Sequence, residues 1–69
     1  MEYPVVIEFA EGQGYSAWVP DLPGCGSQGA TREEALVNVR QALEGWIETA
    51  REKGWDVPDP YSTVALVKV

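Results

Sequence analysis

The sequence has no histidine, one cysteine, and only five lysines and arginines against eleven acidic residues. A single cysteine excludes an internal disulfide, and without histidine a structural zinc site lacks its usual ligand set. No metal or cofactor is therefore expected. Nucleic acids attract lysine and arginine, so a formal net charge of −6 argues against direct nucleic-acid binding and suits a basic partner. Nor is there a long apolar run. Nothing approaches the roughly 20 residues needed to span a bilayer. The opening "MEYPVVIEF" has no basic leader region and too short an apolar stretch for a signal peptide. A cytoplasmic protein without a membrane role is expected.

What is present amounts to one small domain, residues 1–69. A chain of this size buries only about 60% of its unfolded surface, so its core is marginal. Disulfides and metals, two common supplements, are missing here. Self-association into a dimer or tetramer, or a permanent partner, is the remaining way to complete the core.

"YPVVIEF" (residues 3–9) is rich in β-branched and aromatic residues and reads as a strand, and "YSAWV" (residues 15–19) as a second. Pairing Phe9 with Tyr15 sets Ile7 opposite Ala17 and Val5 opposite Val19, an all-apolar face that fixes the register. The other face places Glu8 beside Ser16 and Val6 beside Trp18. Two prolines in "PDLPGC" break the second strand, and "CGSQGA" has room for a short third. Thr31 and Glu34 stand at capping-box spacing. Ala35, Leu36, Val39, Ala42, Leu43, Trp46, Ile47 and Ala50 then recur at three- and four-residue steps, predicting an amphipathic helix of about five turns. Gly54 follows as a natural C′ residue. "TVALVKV" (residues 63–69) is apolar at nearly every position and reads as a strand covered on both faces. The predicted fold is α+β with order β-β-β-α-β. It has a three-stranded antiparallel sheet, a parallel fourth strand reached by a right-handed crossover, and one long helix packed on one face.

Catalytic readings of these residues are weak. Cys25 would need a base or cation to become a thiolate. No histidine exists to serve it, so a buried small residue is the better reading. "GCGSQGAT" leads into a helix, yet lacks both the G-x-G-x-x-G spacing and a G-K-[ST] ending. Glu8 with Glu44 and Glu48 resembles a Mg²⁺ set only in composition, since the helix glutamates lie on the polar face. The segment Asp21–Gly29 is better read as a shaped bend. Pro20 and Pro23 stiffen it, Gly24 and Gly29 relieve strain, Cys25 packs, and Thr31 with Glu34 caps the helix. Trp18 is different, because the register puts it outward beside Val6. Val64 and Leu66 are expected to join it, with Lys68 marking the outward side of the last strand. Such an apolar patch points to protein binding, with Trp18, Val6 and Leu66 as contacts and Asp21 as a rim charge.

The run "YSAWVPDLPGCGSQGATREEALVNVRQALEGWIE" strongly resembles the N-terminal domain of HicB-type antitoxins. The matching pattern is Val19 to Cys25, then Ser27, Gln28, Gly29, Thr31, Glu33, Glu34, Ala35 and Trp46. The resemblance spans roughly residues 1–60 and implies a partial ribonuclease-H-like fold in the order already read. It also implies a non-enzymatic antitoxin that occludes a small basic HicA-type mRNA-cleaving toxin, and that oligomerises. The alternative is a solitary oligomeric domain with no toxin. Family members usually add a C-terminal helix-turn-helix or ribbon-helix-helix domain. The sequence ends at Val69, so DNA binding is not expected of these residues.

Overall fold

The structure is a computed structural model and describes residues 1–69. Three strands precede one helix: β1 (Val6–Ala10), β2 (Gly14–Trp18), β3 (Gly26–Gly29) and α1 (Arg32–Lys53). The sheet is antiparallel in the order β1-β2-β3. The hairpin register is the one that the apolar pattern predicts, with Phe9 opposite Tyr15, Ile7 opposite Ala17 and Val6 opposite Trp18. The Phe9 and Tyr15 rings pack with centroids 5.0 Å apart, a cross-strand contact that helps hold this register.

Both helix ends are stopped by local chemistry. The Thr31 side chain accepts the Glu34 N–H at 3.1 Å. The Glu34 carboxylate reaches one residue beyond the usual box and takes the Ala30 N–H at 3.2 Å. At the other end Gly54 adopts φ 73°. Its N–H bonds Arg51 and that of Trp55 bonds Ala50, the Schellman arrangement. The Trp55 ring then turns back to within 6.5 Å of Trp46.

The helix covers one sheet face. Ala17, Val19, Leu22, Cys25, Ala35 and Val39 form the buried core, with Tyr3, Val5, Ile7, Tyr15, Ala42, Leu43 and Trp46 packed around it. Gly29 allows this closeness. A Cβ there would lie 2.6 Å from the Ala35 nitrogen, so β3 meets the first turn of α1 backbone to backbone.

The parallel fourth strand expected from "TVALVKV" is not formed. Residues 55–69 contain no strand, and no backbone–backbone hydrogen bond ties residues 56–69 to the sheet. Leu66 is 97% exposed and Val67 84%, where burial on both faces was expected. The approach to this segment is held by other contacts. Tyr3 donates to the Pro58 carbonyl at 2.5 Å, and Tyr61 and Ser62 are fastened to Asp21. A strand exists only through a ladder partner, and beyond Ser62 the chain has none.

Candidate functional site

The face of the sheet opposite α1 is left uncovered, and alternation along the strands decides what it presents. Val6 and Glu8 of β1, Ser16 and Trp18 of β2, and Gly26 and Gln28 of β3 share it, as the two registers require. Trp18 is half-buried and Glu8 exposed. Neither Val6 nor Trp18 belongs to the helix-side core, so the outward placement of this pair is observed. Beside Trp18 an open recess continues over Pro20, Leu22, Pro23, Gly24 and Gly26. An aromatic ring flanked by a rigid loop is a recurring anchor for protein contacts.

That loop is compact. Leu22 N–H bonds the Val19 carbonyl and Cys25 N–H the Leu22 carbonyl, each at 3.2 Å, and Val19 N–H closes the loop onto the Cys25 carbonyl at 2.9 Å. Gly24 takes φ 74° to permit the second turn. Val19, Leu22 and Cys25, spaced three apart, all point into the core. The Trp46 indole clamps the outside of the loop by donating to the Pro23 carbonyl at 2.9 Å. Burial raises the pKa of the Cys25 thiol above its ordinary value, which keeps it protonated and disfavours a nucleophilic role.

Asp21 differs from its sequence reading. Expected as an exposed rim charge, it is buried, with 2% of its surface accessible. Its carboxylate accepts the N–H groups of Tyr61 at 2.9 Å and Ser62 at 3.1 Å, and the Ser62 hydroxyl as well. Burial by itself would raise this carboxyl. The Ser62 hydroxyl and the two N–H groups outweigh it, and the pKa falls below the usual value. A charge so occupied is unavailable as a rim group, and Asp21 is a tether for the C-terminal segment. Tyr3 works beside it. Burial first, then the charges of Asp59 and Asp21, push the Tyr3 phenol up, so it stays a donor to Pro58.

Leu66 does not join Val6 and Trp18 within one chain, since the residue stands almost wholly in solvent. Glu44, Glu48 and Glu52 line an open groove on α1 with Ile47 and Arg51. Glu8 is across the sheet from them. No group of three His, Cys, Asp or Glu side chains is placed to hold a metal ion. No helix is long and apolar enough to cross a membrane. Sequence reasoning missed the burial of Asp21 and Leu22. The three-residue spacing of Val19, Leu22 and Cys25 was the one signal that pointed to the loop's inward turn.

Known proteins agree with this architecture. A family described as "HicB_like antitoxin of bacterial toxin-antitoxin system" matches residues 3–68. A UPF0150 protein of Thermoplasma acidophilum is 40% identical over 58 residues, 84% of each chain. Antitoxin HicB 1 of Photorhabdus laumondii is 42% identical over 60 residues, which are 87% of this chain and 39% of that protein. Among solved structures, the N-terminal domain of Burkholderia pseudomallei antitoxin HicB superposes with TM-score 0.80 at 41% identity, covering 91% of this chain and 74% of the other. A chain of the HicA3 and HicB3 toxin–antitoxin complex gives TM-score 0.73 at 30% identity, covering 88% and 70%.

Proposed function

The chain belongs to the HicB-like antitoxin family of bacterial toxin–antitoxin systems, and from that premise we propose that it binds and occludes a small basic HicA-type ribonuclease toxin. The supporting observation is the uncovered sheet face carrying Val6 and Trp18 on a fold like that of a chain in a toxin–antitoxin complex. In this reading Trp18 and Val6 supply affinity by apolar burial. Glu8, exposed on the same face, takes the rim-charge role that Asp21 cannot fill. The net charge of −6 steers a basic partner toward the encounter. The protein's part is steric and needs no catalytic step or cofactor.

The test is co-expression with a candidate basic toxin from the native host, followed by titration of the purified pair. Trp18→Ala should weaken binding at least about tenfold, as loss of an interface tryptophan does, while the helical circular dichroism is kept. Glu8→Gln should mainly slow association and flatten its salt dependence. Unchanged affinity in Trp18→Ala would sink the proposed face. Unfolding of that variant would assign Trp18 to the core instead.

A second reading, a self-associating domain without a toxin, is favoured by a different observation. Val64, Leu66 and Val67 are apolar, adjacent and exposed. Recovery of the chain alone as a defined oligomer would favour it.

A further inference from the structure

We propose that Thr63–Val69 is an exchanged arm that pairs as a strand on the free β1 edge of a second copy of this chain. The inference deepens the self-association reading and stands independently of the toxin reading. It starts from surface. The chain exposes 5358 Å², whereas a folded monomer of its 7.6 kDa exposes about 4,300 Å². The excess, about 1,000 Å², compares with the roughly 800 Å² that each partner buries in a standard interface. The radius of gyration is 13.2 Å, against about 11 Å for a compact chain of this length. An unfinished fold with a projecting segment explains both.

The arm has the composition of a strand and nothing to pair with. Val64, Leu66 and Lys68 alternate with Ala65, Val67 and Val69, and Val64, Leu66 and Val67 are 76%, 97% and 84% exposed. It is not lying on its own sheet. Its root is nevertheless fixed, because Tyr61 and Ser62 are bonded to Asp21, just past the end of β2. That end of β2 lies beside the start of β1, where Val6 faces Trp18.

Two edges are open to an arm, and they differ. β3 is Gly-Ser-Gln-Gly and offers no apolar side chain. Its Gln28 carbonyl already accepts the Asn38 side chain at 2.8 Å. β1 is Val-Ile-Glu-Phe-Ala, and its outer edge carries unpaired N–H and C=O groups with apolar residues on both faces. Only β1 matches the arm. Because each copy carries one arm and one such edge, the exchange closes as a symmetric dimer.

The test is the mass of the 69-residue chain in solution, by light scattering and sedimentation over a wide concentration range. A dimer is expected. Leu66→Lys should raise its dissociation constant at least about tenfold without changing the helical signal, since Leu66 touches almost nothing in the single chain. Amide exchange at residues 63–69 should slow as concentration rises through the dimer range. A monomer at all concentrations, whether its arm is protected or not, overturns the proposal. So does a dimer that survives Leu66→Lys but falls to Trp18→Ala, which would assign self-pairing to the outer sheet face. Toxin binding is read separately, by titration with the toxin.

Discussion

Two proline-rich segments with similar residues behave in opposite ways. "VPDLPGC" (residues 19–25) and "DVPDPYS" (residues 56–62) each carry two prolines and at least one aspartate. The first folds in on itself, buries Val19, Leu22 and Cys25, and closes with backbone bonds of its own. The second makes no internal backbone bond and is held from outside, by Tyr3 and Asp21. Proline restricts both segments equally. What separates them is apolar residues at a spacing that lets two successive turns deliver them to one side. The first loop is part of the core, whereas the second is a strap fastened to it.

The largest effect is expected where the first loop meets the core. Leu22→Ala should cost about 2–4 kcal/mol of unfolding free energy, read by urea denaturation. A change under about 1 kcal/mol would show that the loop is not core. Next comes the fastening. Asp21→Asn should speed amide exchange at Tyr61 and Ser62 while leaving the helix amides protected, and global collapse would give Asp21 a wider role. Acid should act in the same sense. The Asp21 pKa is lower folded than unfolded, so the fastening is fully present above about pH 4, the ordinary aspartate value. It is lost as pH falls through the lower folded value. The Tyr61 and Ser62 amide resonances should titrate together below pH 4.

Gly24→Ala forces a side chain into positive φ and should cost about 1 kcal/mol. The equivalent change outside that turn, Gly45→Ala in the helix, has open space for its Cβ and should stabilise by up to about 1 kcal/mol. The smallest change is Tyr3→Phe, which removes one hydrogen bond to Pro58 and about 1 kcal/mol or less. Its signature is faster exchange confined to the second segment.

Much of the fold was legible because its signals are short-range. The hairpin register follows from apolar alternation across a three-residue connection, and Phe9–Tyr15, Ile7–Ala17 and Val6–Trp18 sit opposite one another as read. Helix limits came from Thr31 and Gly54, each acting on residues within one turn. The outward placement of Val6 and Trp18 followed from that register. The site was less legible. Asp21 looks like any surface acid in sequence, and its partners Tyr61 and Ser62 lie 40 and 41 residues away. "TVALVKV" has a strand's composition, but composition cannot supply the second strand that a ladder requires.

The sequence by itself thus determined the sheet hairpin, the helix and its two ends, the face that packs, and that no disulfide can form within the chain. These depend on periodicity, capping and residue inventory, all carried by neighbours along the chain. Tertiary structure alone decided that Asp21 is buried as a tether and that the last seven residues stand apart from the sheet. Those outcomes turn on which distant groups meet. A buried carboxylate is tolerable only where donors converge on it, and an apolar strand is stable only beside another strand.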